Sequence, residues 1–152
     1  MALLRQRNNS IFNFIKHPTA QLFDMTSQIS EGVKISVESF YQPEFSNPLT
    51  SEFLFSYRIT IENCNNFTVQ LLSRHWYIYE GDGTIREVQG DGVVGVQPVI
   101  EPGGSYQYVS GCNLKAEIGK MCGSYLFCNR DTNALFDVGI PAFELQVPHK
   151  LN

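Results

Sequence analysis

The chain has 152 residues, of which 43% are hydrophobic and 17% charged, with a net charge of −4 and a pI of about 5.3. This length predicts one domain with its own hydrophobic core, and the composition excludes a disordered chain or a coiled coil. The acidic balance argues against nucleic acid or an anionic membrane surface as a partner. No apolar run approaches the roughly 18 residues needed to cross a bilayer, so we expect no membrane insertion.

The first thirty residues differ in charge from the rest of the chain. They hold three basic residues and one acid, for a net charge of +2, whereas residues 31–152 carry −6. Their apolar stretch IFNFI is too short for the core of a signal peptide. We therefore predict a flexible or partly helical N-terminal extension over residues 1–30 and a domain over residues 31–152 that begins near Glu31. A transit peptide or an added segment is the alternative for the extension.

From Val33 onward, apolar and polar residues alternate, which is typical of half-buried β-strands. The clearest run is EFLFSYRITIEN, residues 52–63, in which every second residue is apolar. In the next run, FTVQLLSRHWYIY, adjacent Leu71 and Leu72 break the phase and predict a β-bulge. The residues Glu80-Gly81-Asp82-Gly83 then predict a hairpin turn.

Further strand-like runs follow to the end of the chain: TIREVQ, SYQYVSG, GSYLFCN, ALFDVGI and AFELQVP, the last two separated by Pro141. No stretch after residue 31 shows a helical period. The pattern predicts an all-β fold, an immunoglobulin-like or fibronectin-III-like β-sandwich of seven to nine antiparallel strands. A small closed barrel is the alternative.

The stretch GDGVVG, residues 90–95, spells the G-x-G-x-x-G pattern of a dinucleotide-binding turn. That turn must follow a strand and open a helix, so that free N–H groups face the phosphates. Here β-branched residues and Pro98 follow, which disfavours a helix, and no βαβ unit is predicted. We therefore interpret GDGVVG as a loop between strands of the sandwich.

A glycine-rich loop can still hold an anion in a nest of backbone N–H groups. Arg74 and Arg86 would add positive charge to such a nest if they lay nearby. Asp82, Glu87 and Asp91 would repel an anion from it. The nest therefore stays open as the weaker interpretation of the loop.

The segment from LLSRHWYIYEGDGTIREVQGDGVVG to VQPVIEPGGSYQYVSG, residues 71–111, resembles the signature of the ApaG domain. GKMCGSY and FDVGIPAFELQVPHKLN follow in the same order, so the resemblance covers residues 31–152. It implies a fibronectin-III-like β-sandwich that serves as a binding module, with no established catalytic activity. It also implies an indirect link to Co²⁺ and Mg²⁺ resistance or efflux.

No pattern of catalytic or metal-binding residues stands out in the sequence. His17, His75 and His149 lie far apart and match no catalytic or zinc motif, so we predict no catalytic residues, no metal site and no cofactor. The four cysteines lack metal-site spacing and are interpreted as buried, reduced thiols of a cytoplasmic protein. They are Cys64, Cys112, Cys122 and Cys128.

Two functional hypotheses follow, of which the leading one is a protein-interaction module with an unidentified protein partner and a possible weak homodimer. A Trp–Arg pair is typical of binding hot spots, although a core tryptophan of a sandwich strand is the simpler interpretation of Trp76. The candidate surface comprises Arg74, His75, Trp76, Gly90, Asp91, Gly92, Val93, Val94 and Gly95.

The second hypothesis is a sensor that binds a phosphate-containing nucleotide or a divalent metal ion at the glycine-rich loop. Carboxylates are suitable ligands for Mg²⁺ and Co²⁺, and four of them surround the loop and the preceding hairpin. A solvated acidic surface is the simpler interpretation of this group, which comprises Glu80, Asp82, Glu87 and Asp91.

Overall fold

The computed structural model describes residues 20–148, which fold into nine antiparallel β-strands in two facing sheets. The predicted β-sandwich is therefore confirmed. Two single-turn 3₁₀ helices, Pro43–Phe45 and Pro48–Thr50, are the remaining regular elements of this region. The strands are β1 (Gln21–Ser30), β2 (Val33–Tyr41), β3 (Phe53–Asn63), β4 (Val69–Glu80), β5 (Ile85–Asp91), β6 (Val99–Ile100), β7 (Ser105–Leu114), β8 (Ile118–Asn129) and β9 (Leu135–Gln146).

The first sheet has the strand order β1-β2-β3-β7, and the second has the order β5-β4-β8-β9, with β6 also paired to β4. The alternation in β3 has the predicted effect. Phe55, Ile59 and Ile61 are completely buried between the sheets, whereas Arg58 and Glu62 are partly exposed on the outer face. Burial of this apolar face is the main favourable term for the fold.

The predicted bulge lies in β4, where the pairing with β8 shifts register between Leu71 and Ser73. The extra residue changes which side chains face the core. Leu71 is buried before the bulge, and Trp76 and Ile78 are buried after it. Arg74 is in phase with Trp76, so its side chain shares the inner face of the second sheet.

The two strands predicted on either side of Pro141 are a single strand, β9, which corrects the sequence interpretation. Proline removes one ladder donor and is tolerated at bulges and on edge strands. Both conditions hold here, because β9 is an edge strand and its pairing with β8 shifts register between Met121 and Gly123.

The predicted extension is also corrected, because its last ten residues form strand β1, which pairs with β2 through a turn at Glu31-Gly32. Polar groups of β1 bond the edge of β9: Ser30 Oγ accepts the Gly139 N–H at 3.0 Å, and Asp24 Oδ2 accepts the Glu144 N–H at 3.4 Å. Most of the predicted extension, residues 1–19, lies outside the described residues.

The core holds an aromatic cluster around Trp76, which is 3% exposed. Its ring lies 5.5 Å from that of Tyr57, 5.9 Å from that of Phe143 and 6.3 Å from that of Tyr125. These contacts join the two sheets, since Tyr57 belongs to the first sheet and the other rings to the second. All four cysteines are free thiols. Cys112 is buried as expected, whereas Cys64 is exposed, which corrects the expected burial of that side chain.

The position of β1 makes a testable prediction about the domain boundary. We expect a chain that begins at Glu31 to be less stable than a chain that begins at Ala20, by about 2 kcal/mol or more. The loss follows from removing several ladder hydrogen bonds that each contribute about 1 kcal/mol net. Urea denaturation of both chains measures the difference, and equal free energies of unfolding would show that β1 does not support the domain.

Candidate functional site

The glycine loop follows β5 and turns back on itself immediately. Gly92, Val94 and Gly95 all have positive φ angles, of 62°, 48° and 77°. A short bridge joins Val93 to Val96, and the Val93 side chain is completely buried. The chain then enters β6 without forming a helix, which agrees with the interpretation of GDGVVG as a loop.

Gly92 is required at its position because of contacts as well as its φ angle. A Cβ atom there would lie 2.3 Å from the carbonyl oxygen of Val96. That separation is far below van der Waals contact, and the neighbouring atom is backbone rather than the end of a flexible side chain. The glycine pattern therefore serves a tight turn.

The bulge in β4 anchors the loop. The carbonyl oxygen of Leu72 accepts the Gly92 N–H at 2.8 Å and the Gln97 side-chain amide at 2.9 Å. On the other side of the bulge, the Leu71 N–H donates to the carbonyl oxygen of Pro98 at 3.0 Å. The bulge therefore supplies hydrogen-bonding groups to both ends of the loop.

Arg74 fastens the loop from the inner face of the sheet. Its Nη1 donates to the carbonyl oxygens of Asp91 at 3.0 Å and Gly92 at 2.9 Å. A Cβ at Gly90 would lie 2.9 Å from the same nitrogen, so the absence of a side chain there makes room for the guanidinium. Within residues 20–148 no carboxylate lies within 4.0 Å of Arg74.

The loop donors are largely engaged inside the protein. Besides the Gly92 bond to Leu72, the N–H groups of Val93 and Val96 donate to each other's carbonyl oxygens at 2.8 and 3.1 Å. Arg74 is directed at carbonyl oxygens, and Arg86 donates to the carbonyl oxygen of Asn113 and pairs with Glu80 at 3.2 Å. Three backbone N–H groups of the loop and both expected cations are therefore engaged within the protein, which argues against an anion nest.

Three tyrosine hydroxyls lie in the core near Arg74. The Tyr108 and Tyr125 hydroxyls are hydrogen-bonded at 2.5 Å, and Tyr57 bonds Ser110. Burial raises the pKa of Tyr57 to about 12 and raises those of Tyr108 and Tyr125 further above the usual value, against a smaller opposing effect of the Arg74 charge. The phenols therefore stay neutral at physiological pH and act as hydrogen-bonding groups of the core.

The outer face of the second sheet carries His75, whose side chain points away from the core. Its Nε2 lies 2.5 Å from Glu87 Oε1, and Gln89 Nε2 donates to the same oxygen at 3.1 Å. The imidazole also stacks on the Tyr77 ring at 4.6 Å. These contacts hold His75 in one orientation on the surface.

A surface depression of about 470 Å³ opens on this outer face beside His75. We call it the polar trough. It runs across strands β5, β4, β8 and β9. Its lining residues are Ser73, Arg74, His75, Gln89, Gly90, Asp91, Ser124, Leu126 and Asp137.

The structure divides the predicted candidate surface into two parts. Trp76 and Val93 are buried, so their expected place on a binding surface is wrong, and the alternative of a core tryptophan is confirmed. Arg74 and the glycine-loop residues Gly90, Gly92, Val94 and Gly95 form the turn and its anchor. His75 and the Asp91 side chain remain on the outer face.

The trough residues Ser124 and Asp137 were missing from the sequence interpretation. Their strands were recognisable, but their proximity to His75 depends on the pairing of β8 with both β4 and β9. Tyr77 and Tyr79 could have been found, because they follow His75 in the same alternating phase of β4.

The predicted acidic group does not form one site. Glu80 pairs with Arg86 and accepts the Lys115 N–H, and Glu87 bonds His75. Asp82 accepts the Thr84 N–H within the hairpin turn, which lowers the pKa of its carboxyl. Residues 20–148 contain no group of three or more histidine, cysteine or acidic side chains arranged to hold a metal ion.

The comparison with known proteins establishes the family. A sequence profile of the ApaG domain matches residues 43–129, which include the bulge, Arg74 and the glycine loop. This chain belongs to the ApaG family. The matched region lies within the sandwich, and β1, β2 and β9 fall outside it.

The similarity to individual ApaG proteins covers nearly their whole length. Protein ApaG of Brucella suis biovar 1 is 45% identical over 126 residues, which is 83% of this chain and 96% of the relative. Protein ApaG of Brucella anthropi is 44% identical over the same shares. The crystal structure of an ApaA protein from Bordetella pertussis superposes with a TM-score of 0.73 at 36% identity, covering 86% of this chain and 98% of that one.

No helix in residues 20–148 is long and apolar enough to cross a membrane.

The Arg74 contacts make a prediction about stability. We expect Arg74→Lys to lower the free energy of unfolding by about 1–2 kcal/mol, since an ammonium group cannot reproduce the guanidinium geometry that reaches both carbonyls. The matched control is Arg130→Lys, whose parent guanidinium donates to Gln70 at an exposed site and should matter by less than about 0.5 kcal/mol. Equal losses in urea denaturation would contradict the anchoring role.

The turn makes a second prediction. Gly92→Ala should destabilise the protein by about 3 kcal/mol or more, because the added methyl meets backbone and the φ angle is positive. Gly83→Ala is the matched control, since Gly83 also has a positive φ but no atom within 4 Å of a new Cβ. Its loss should stay near 1 kcal/mol. If thermal denaturation shows the same loss of stability for both variants, the close contact with Val96 does not determine the cost of a side chain at position 92.

Proposed function

We propose that this ApaG-family protein is a non-catalytic protein-interaction module whose partner docks on the outer face of the second sheet. The observation that carries the proposal is a row of accessible side chains around Tyr77 and Tyr79. Tyr79 is 38% exposed, and its cross-strand neighbour Ile85 is 61% exposed. Tyrosine with an adjacent aliphatic group is a frequent composition of binding hot spots.

The surface is held rigidly before any partner arrives. Tyr77 stacks on His75, and His75 is fixed by Glu87 and Gln89. The strands beneath are the two central strands of the sheet and the edge strand β5. A preorganised surface loses less conformational entropy on binding, which favours affinity.

The chemistry of the surface supports binding rather than catalysis. Within residues 20–148 no hydrogen bond joins His75 to a serine or cysteine, so a nucleophile–base pair is not assembled there. The free thiols, including the exposed Cys64, support a reducing, cytoplasmic location. In this proposal any effect on Co²⁺ or Mg²⁺ resistance or efflux is indirect and passes through the partner.

Site-directed photo-crosslinking tests the proposal in cells. A photoreactive side chain at position 79 should yield an adduct with a partner protein. The same group at position 107, on the outer face of the first sheet, should not. The identified partner is then purified and titrated against the Tyr77→Ala and Tyr79→Ala variants, for which we expect at least about a fivefold weaker affinity. Gln107→Ala is the matched control and should bind normally.

Two outcomes would overturn the proposal. Adducts that form only from position 107 would show that the partner binds the first sheet. Adducts that contain only a second copy of this chain would show self-association, the weak homodimer, in place of a partner protein.

A further inference from the structure

Seven of the nine residues that line the polar trough lie in two rows that cross the strands of the second sheet. One row is Asp91, Ser73, Leu126 and Asp137, and the other is Gln89, His75 and Ser124. Residues that pair directly across strands project from the same face of a sheet. Both rows therefore lie on the outer face, on which the proposed partner docks.

The trough is a depression because its floor consists of small residues. Ser73 and Ser124 lie on the central strands β4 and β8, where larger side chains would fill the space. The partly buried Leu126 adds an apolar patch to the floor. A chain segment can thus lie in the trough across the strands, in contact with hydroxyls and one aliphatic side chain.

The two ends of the trough carry the same charge. Asp91 lies on edge strand β5 and Asp137 on edge strand β9, and both residues are exposed. Neither carboxylate has an ion-pair partner in the described part of the chain. Arg74 also borders the trough, but its guanidinium is directed at the carbonyl oxygens of Asp91 and Gly92.

The distance between the ends sets the length of the occupant. Asp91 and Asp137 are separated by three strand spacings of about 4.8 Å, or roughly 14 Å. An extended peptide rises about 3.4 Å per residue, so side chains four positions apart are separated by roughly 14 Å and project from the same side. Two basic side chains at this spacing would each meet one carboxylate.

We propose that the trough binds an extended segment of the partner protein with lysine or arginine side chains four positions apart, one at Asp91 and one at Asp137. This inference rests on the proposed function and specifies the chemistry of the partner. The net charge of −6 over residues 31–152 supports it, because an acidic domain attracts basic segments over long range. The residue midway between the two basic positions lies over Leu126 and Ser73.

The test uses the full chain and a fluorescent glycine-serine peptide of about nine residues with two lysines four positions apart. Fluorescence anisotropy at low ionic strength should show saturable binding that weakens with added salt. Asp91→Asn and Asp137→Asn should each weaken the affinity about fivefold, and the double variant about 25-fold, since the sites are far enough apart to act independently.

Two controls separate this site from general charge attraction. Glu44→Gln removes one exposed negative charge from the 3₁₀ turn beside the first sheet and should change the affinity less than about twofold. A peptide with the lysines five positions apart projects them to opposite sides and should bind at least about fivefold more weakly. Asparagine preserves the shape of aspartate, and an unchanged thermal midpoint confirms that the variants are folded.

Three outcomes would overturn the inference: no binding of the spaced peptide, equal weakening by Glu44→Gln, or no dependence on lysine spacing. The failure of this inference can be distinguished from the failure of the proposed function. If the spaced peptide does not bind while Tyr77→Ala and Tyr79→Ala still weaken the identified partner, the interaction module stands and the basic segment is wrong. If the peptide binds as expected while the tyrosine variants have no effect on the partner, the trough stands and the proposed docking surface is wrong.

Discussion

The bulge in β4 is the constraint on which the site geometry depends. Its extra residue directs Arg74 toward the core and His75 toward solvent, although the two are adjacent in sequence. It also directs the carbonyl oxygen of Leu72 at the glycine loop, where it accepts two hydrogen bonds. Without this shift of phase, Arg74 would face solvent and could not fasten the loop.

The family signature is thereby explained in physical terms. Arg74, the bulge and the glycine turn are joined by hydrogen bonds into one structural unit, and each part depends on the others for its geometry. Gly90 leaves room for the guanidinium, Gly92 permits the close approach of Val96, and Val93 fills the core. The six letters that resemble a nucleotide-binding turn therefore specify a fold, while the accessible chemistry lies on the opposite face of the sheet.

Local sequence patterns predict much of this fold, for identifiable reasons. Alternation in β3 reports burial on one face, and adjacent Leu71 and Leu72 locate the bulge because both cannot face the core in a regular strand. Strand β1 escapes recognition because its pattern is inverted. Its apolar residues Leu22, Met25 and Ile29 are 52–64% exposed, and its polar residues face β9. The trough could not be predicted from local sequence patterns either, since strand pairing alone brings Asp91 and Asp137 onto one face.

The glycine loop is a closed structural element whose backbone donors are engaged within the protein. Amide hydrogen exchange followed by NMR measures this engagement directly. We expect the amides of Gly92, Val93 and Val96 to exchange at least about a hundredfold more slowly than unprotected amides, as hydrogen-bonded groups do in the native state. Exchange of these three amides at the rates of an unprotected loop would instead show that the loop is open and that its donors are free to bind a ligand.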